Sequence, residues 1–153
     1  MSNDVPRFRL RPARQSDKRI IKQLVRRARL NPLGLDWERF TIAVDDKGDV
    51  VGIIQLKPHG DGSQELASLV VARPWRSRGI AAALVAAVKA QSDDVLWLMC
   101  ERGLVSFYER FGFETVESAA HMSPYYRRIW QLARLFDVVT RGVASLAIMR
   151  WQS

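Results

Sequence analysis

From Arg76 to Ala81 the chain reads Arg-Ser-Arg-Gly-Ile-Ala, and residues of these types at this spacing can hold a phosphorylated ligand. The run Leu66–Val71 before it is apolar and rich in β-branched residues, which predicts a mostly buried strand. Ile80–Gln91 after it is alanine-rich, free of Gly and Pro, and predicts a buried helix. The first turn of a helix leaves N–H groups without intrahelical partners and carries partial positive charge. A glycine at that entrance lets an anion approach the backbone, and a phosphate satisfies both needs. Arg76 and Arg78 add donors suited to phosphate oxygens, and Arg73 lies just upstream. The alternative is an ordinary strand–helix unit whose arginines are solvated, since one glycine is a weaker signal than a full phosphate-loop motif.

The order Arg-x-x-Gly-x-Ala, after an apolar strand and before a helix, resembles the acetyl-CoA loop of the GNAT superfamily of N-acetyltransferases. Arg76, Gly79 and Ala81 occupy its fixed positions. The block Phe107-Tyr108-Glu109-Arg110-Phe111-Gly112-Phe113 is similar to the family's tyrosine-bearing helix and the Gly-Phe that opens its next strand. The resemblance covers residues 7–118, and the remainder by continuity of topology. It implies a single α/β domain over residues 1–153, with a central mixed, twisted sheet flanked by helices and an extra helix before the last strand. It also implies acetyl-CoA as co-substrate, with cofactor contacts from Val70, Val71, Arg76, Ser77, Arg78, Gly79, Ile80, Ala81 and Tyr108. In many relatives Asn stands seven residues before the tyrosine and Ala four before it; this chain has Glu101 and Leu104 there.

Acetyl transfer to an amine sets its own chemical demands. A lysine-like amine with a pKa near ~10.4 is neutral only about once in a thousand at pH 7, so presenting the nucleophile costs roughly 4–5 kcal/mol unless the site takes its proton. Glu65 stands eleven residues ahead of Arg76, where histone-acetylating members of the superfamily carry a base glutamate. The resemblance therefore implies Glu65 as the base; the other reading is a strand-edge carboxylate on a wet face. At the far end of the reaction a thiolate leaves, and the resemblance assigns Tyr108 to it as proton donor. The backbone N–H of Val71 is implied as the partner of the oxyanion. Cys100, a lone cysteine ending an apolar strand, is expected in the core rather than as a nucleophile. His59 and His121 have no metal-ligand company and are expected as loop surface residues, so no metal is assigned.

These groups need elements to position them. Phe8 and Leu10 alternate with Arg7, Arg9 and Arg11 in a first strand that Pro12 ends. Ser16 is an N-cap candidate for a helix in which Ile20, Ile21, Leu24, Val25 and Ala28 recur at helical spacing, stopped at Asn31-Pro32. Residues 40–57 read as a hairpin turning at Asp45–Gly48, and His59-Gly60-Asp61-Gly62 is the next loop. Val95–Cys100 reads as a buried strand and Leu104–Phe111 as the tyrosine helix. Pro124–Asp137 carries Ile129, Leu132, Ala133 and Phe136 on one face of a basic amphipathic helix, and Val143–Trp151 is the final strand.

At 153 residues with 48% apolar composition the chain is long enough for one core. A single cysteine excludes an internal disulfide, so the fold does not depend on an oxidising compartment and a reducing cytoplasm is the expected setting. No targeting segment or membrane-length apolar run is visible, so a soluble protein is expected. The net charge of +8 is read as spread through the chain, met in part by the CoA phosphates, with no aromatic-interleaved basic strand or zinc spacing to organise base recognition. The expected partners are acetyl-CoA and an amine acceptor, small molecule or protein, with no nucleic acid and no membrane span, in a monomer or homodimer. Asp36, Glu38, Asp61 and Glu65 are acidic groups that could meet a cationic amine. The alternative function is a CoA-binding regulatory or partner-binding module with little transfer activity.

Overall fold

A computed structural model describes residues 7–92, 94–135 and 146–153 in full and the backbone of 136–140. Its seven strands form one mixed sheet of order β1-β2-β3-β4-β5-β7-β6. The chain divides into two compact units: residues up to Leu56 with Leu66–Gln91, and Lys57–Glu65 with Ser92–Ser153.

In the first unit, β1 (Phe8–Pro12) runs antiparallel to β2 (Phe40–Asp45), with Phe8 opposite Asp45 and Pro12 opposite Thr41. β2 runs antiparallel to β3 (Val50–Pro58), which confirms the hairpin. Asp45 makes its turn: its Oδ1 accepts the N–H groups of Lys47 and Asp49 at 2.9 Å. Helix α1 (Lys18–Arg27) turns Ile21, Leu24 and Val25 into a core with Phe40, Ile42, Val44, Ile53 and Val70. Ser16 is not its cap. A 3-10 turn, Gln15–Asp17, precedes the helix, and Asp17 organises it by accepting the Arg14 N–H at 2.7 Å and a two-pronged contact from Arg11 at 2.8 and 3.1 Å. The Arg11 hydrogen bond, against the opposing effect of burial, holds the Asp17 carboxyl below its ordinary pKa.

The charge is not spread evenly either. Ten of the 24 Lys and Arg residues fall between Arg7 and Arg29, against one acidic residue, Asp17. Residues 31–153 carry 14 of each sign and are neutral. The excess thus belongs to β1 and the solvent face of α1, where Lys18, Arg19, Lys22, Arg26 and Arg27 are all exposed.

Helix α2 (Ile80–Gln91) forms over the expected residues and buries Ile80, Leu84, Val85 and Val88. It packs closely at Gly52 of β3, where an added Cβ would lie 2.8 Å from Ile80 Cγ2 and 3.1 Å from Leu84 Cδ1. Glycine there lets the first turn of α2 press on the sheet, which fixes the loop ahead of it.

In the second unit, β5 (Val95–Glu101) lies beside the start of β4 (Gln64–Val71) in parallel, with Gln64 opposite Leu96 and Glu65 opposite Trp97. β7 (Leu146–Gln152) runs antiparallel to β5 and inserts between it and the short β6 (Glu114–Thr115). The tyrosine helix is shorter than expected: a 3-10 turn, Arg102–Leu104, leads into α3 (Val105–Glu109). Gly112, at φ 84°, ends that segment with a left-handed residue. Helix α4 (Pro124–Thr140) does precede the last strand. Its buried side differs from the expected stripe, because Tyr126 enters the core with Trp97, Val116, Met122 and Ile148 while Leu132 and Leu135 are exposed. Phe136 and residues 143–145 of the expected final strand lie outside the fully described residues. Among the described residues no helix is long and apolar enough to cross a membrane.

Candidate active site

The loop after β4 has the backbone of an anion cradle. Ser77 (φ 61°) and Gly79 (φ 82°) are left-handed on either side of Arg78, a conformation that turns successive N–H groups toward one side. Gly79 starts α2, its carbonyl accepting the Ala83 N–H at 3.0 Å. A Cβ on Gly79 would meet nothing within 4 Å, so the space in front of it is open. Arg76 Nε donates to the Val71 carbonyl at 3.1 Å, closing the loop back on the strand. The Arg78 guanidinium lies over the Trp75 ring, 5.3 Å from its centroid. Ser77, Arg78 and Gly79 are exposed, Ala81 and Val71 are half-buried, and Val70 and Ile80 are buried. Ser68, at φ 55°, is a left-handed residue in the middle of β4. The residues expected to contact the cofactor's phosphates are contiguous, and Ser77 and Gly79 give their backbone two left-handed positions.

Glu65, near the start of β4, is not a wet strand-edge carboxylate. Its Oε2 lies 2.5 Å from Nε2 of His59, and the two side chains are only 14% and 7% exposed. His59 is thus a correction to the sequence reading. The turn it opens, with His59 N–H donating to the Ser63 carbonyl and Gly62 N–H to the His59 carbonyl, folds the loop so that the imidazole faces Glu65. Spacing held a signal for this: in a tight hairpin, residues flanking the turn lie on one face. The two tyrosines opening α4 were legible only as helix residues. Tyr125 stacks on the His59 ring at 3.5 Å between centroids and 15° between planes, and Tyr126 meets it edge-on at 6.0 Å. Tyr126 is 0% exposed, and burial, then the nearby Glu65 carboxylate by charge and by hydrogen bond, pushes its pKa up.

Of the other acidic candidates, Asp36 is committed to its own turn, accepting the Glu38 N–H and pairing with Arg39. Asp61 is also occupied: it accepts from Ser63 N–H and Oγ at 2.9 and 2.6 Å and from the Tyr125 N–H at 2.9 Å. Tyr108 packs edge-on against Phe107 and Phe113. Burial, reinforced by Cys100, pushes its phenol up to about 12. Cys100 is buried with its Sγ 3.9 Å from Met149 Sδ, and burial followed by Glu101 raises its thiol pKa, as a core cysteine requires. His121 is exposed. Among the described residues no three metal-binding side chains cluster.

A mixed sheet with the last strand inserted beside β5, and a left-handed glycine loop between β4 and α2, defines an acetyltransferase-type α/β protein. The chain belongs to the GNAT family: residues 36–115 match the acetyltransferase (GNAT) domain. Solved structures share the fold. The N-acetylglutamate synthase of Neisseria gonorrhoeae, complexed with coenzyme A and N-acetyl-glutamate, superposes with a TM-score of 0.75 at 18% identity. The match covers 95% of this chain and 35% of that one, so this chain spans about a third of the synthase. Rv2747 from Mycobacterium tuberculosis, in complex with CoA, gives 0.70 at 21% identity, covering 95% and 99%. Arabidopsis thaliana NAA60, in complex with a bisubstrate analogue, gives 0.63 at 15%, covering 95% and 98%. No curated protein sequence matches the chain.

Proposed function

We propose that this protein is an N-acetyltransferase that moves the acetyl group of acetyl-CoA directly to a primary amine. The observation that carries the reading is a carboxylate, eleven residues ahead of Arg76, held in a hydrogen-bonded and mostly buried setting near the start of β4. The CoA-bound relatives support the co-substrate. In this reading the pyrophosphate lies on the N–H groups from Ser77 to Ala81, with Arg76 and Arg78 at the mouth and Val70 and Val71 along the thioester arm. A lone buried thiol fits a reducing, cytoplasmic setting.

The reaction removes two protons from the ammonium. Glu65 takes the first, which frees the nitrogen lone pair to attack the thioester carbon. The oxyanion that forms is met by the Val71 N–H. Collapse of the adduct breaks the C–S bond, and the second nitrogen proton leaves with the departing sulfur as thiol. Tyr108 assists this step, but not as the full proton donor expected from the sequence. With its phenol pushed up to about 12 and a thiol near ~8.5, complete transfer is uphill by roughly 5 kcal/mol. The phenol instead donates a hydrogen bond to sulfur as charge develops.

A screen of small amines and peptide N-termini with acetyl-CoA, read as free thiol release, tests the proposal. Glu65→Gln is expected to lower turnover at pH 7 by about 10²-fold or more while acetyl-CoA still binds. Binding of CoA with no thiol release on any amine would assign the chain to the binding-module class instead.

A further inference from the structure

Glu65 does not stand alone. The loop Pro58–Ser63 folds His59 onto it, the imidazole lies flat against Tyr125, and Tyr125 is tied back to the same loop through Asp61. We infer that His59 and Glu65 form one proton-accepting unit, with His59 as the positioning residue and Tyr125, anchored by Asp61, fixing the imidazole. The inference rests on the reading of Glu65 as the base.

Geometry makes the case first. A stacked ring at 3.5 Å cannot turn about its own axis without breaking the stack, so Nε2 stays directed at Oε2. Asp61 spends one oxygen on Ser63 and the other on the Tyr125 backbone, locking the loop and the first turn of α4 in one arrangement. The Tyr126 hydroxyl, fully buried beside this cluster, is a further donor directed at the Glu65 carboxylate.

Proton balance supports the pairing. In the resting pair a single proton lies between Nε2 and Oε2, and the pair carries one negative charge. The ammonium's proton makes it neutral, and the amine lone pair is released for attack. A carboxylate alone sits about 6 pKa units below an alkylammonium, whereas an imidazole sits about 4 below, so a shared acceptor is better matched to its task. The pair takes up that proton as a unit. Among the described residues, the titratable groups that act on one another here with Glu65 are Asp61 of the loop and Tyr125 and Tyr126 of α4, and Arg150 of β7 stands in register one strand beyond Trp97.

The experiment is the pH profile of kcat/KM for the best amine at saturating acetyl-CoA, in the parent and in His59→Gln, Tyr125→Phe, Tyr125→Ala and Glu65→Gln. His59→Gln is expected to lose 10- to 100-fold at pH 7 and to move the acidic limb to lower pH, because only the carboxylate then titrates. Tyr125→Phe keeps the stack and should follow the parent; Tyr125→Ala should follow His59→Gln. A second readout is independent of turnover: a far-downfield imidazole N–H proton resonance is expected in the parent and absent in both His59→Gln and Glu65→Gln. A His59→Gln profile superimposable on the parent, with Glu65→Gln inactive, overturns the pair and leaves Glu65 as base. A fully active Glu65→Gln overturns the base reading itself. Persistence of the downfield resonance in Glu65→Gln also rules the pair out, even if a His59 variant fails to fold.

Discussion

Asp61 Oδ2 accepts the backbone N–H of Tyr125 at 2.9 Å, a bond between residues 64 positions apart that caps the first turn of α4 from the β3–β4 loop. A carboxylate at a helix N-terminus is a favourable cap. Burial by itself pushes the Asp61 pKa up, but the hydrogen bonds from Ser63 Oγ, Tyr125 N–H and Ser63 N–H outweigh it and hold the group well below the usual carboxylate range. Asp61→Ala is expected to cost about 1 kcal/mol of stability near pH 7. A depressed pKa contributes stability that is present above the unfolded value, about 4, and lost as pH falls toward the folded value. The gap between parent and variant in denaturant titrations should therefore hold from pH 5 to 8 and shrink below 4. An equal gap at pH 3 and pH 7 would contradict the capping role.

The three tyrosines should titrate abnormally. Burial comes first among the causes for each: Tyr108 is pushed up to about 12, and Tyr125 and Tyr126 are also raised. Raised pKa values contribute stability that is present below the unfolded value near ~10 and lost as pH climbs through the folded values. Phenolate absorbance should therefore lag well behind that of free tyrosine while the protein stays folded, and stability should fall above pH 10. A native-state phenolate signal complete near pH 10 would show that these rings are wetter than the structure has them.

Gly52 is expected to resist enlargement. An alanine Cβ there would press on Ile80 Cγ2 at 2.8 Å, so Gly52→Ala should cost about 1–3 kcal/mol by overpacking. In an Ile80→Ala background the same change should cost clearly less, which a double-mutant cycle measures directly. Additive effects would separate Gly52 from the seat of α2.

Gly79 makes the opposite case, being limited by conformation rather than space. Its φ of 82° disfavours any side chain by about 1–2 kcal/mol, yet nothing lies within 4 Å of a Cβ. Gly79→Leu should fold with reduced stability and lose the rise in Tm that CoA is expected to give the parent, since the side chain fills the open space ahead of α2. Arg78→Glu should lose that rise by charge alone. If both variants respond to CoA like the parent, the cofactor lies elsewhere.

Direct transfer requires no acetylated enzyme. Cys100 is buried against Met149, so Cys100→Ala should stay active apart from a cavity cost to stability. Intact-mass measurement after incubation with acetyl-CoA alone should show no adduct; a stoichiometric acetyl group on Cys100 that amine removes would establish a two-step path.

What sequence alone determined is local and periodic. The limits of α2 were legible because an alanine-rich apolar run between Gly79 and Ser92 has one regular solution, and the β2–β3 hairpin because Asp45 and Gly48 form a turn within five residues. The glycine-bearing turn ahead of α2 was legible for the same reason: Arg76 to Ala81 is one continuous piece of backbone. The surroundings of Glu65 were decided by tertiary structure. Its nearest partner, His59, lies across a turn, and the ring that holds His59 comes from α4, more than sixty residues on. Tyr125 and Tyr126 are adjacent in sequence, yet one stacks on the imidazole and the other enters the core, a division set by where α4 begins against β5 and the β3–β4 loop. Helical periodicity carries no information on such a choice, because the packing of distant elements fixes which face of an amphipathic helix is buried and what it is buried against.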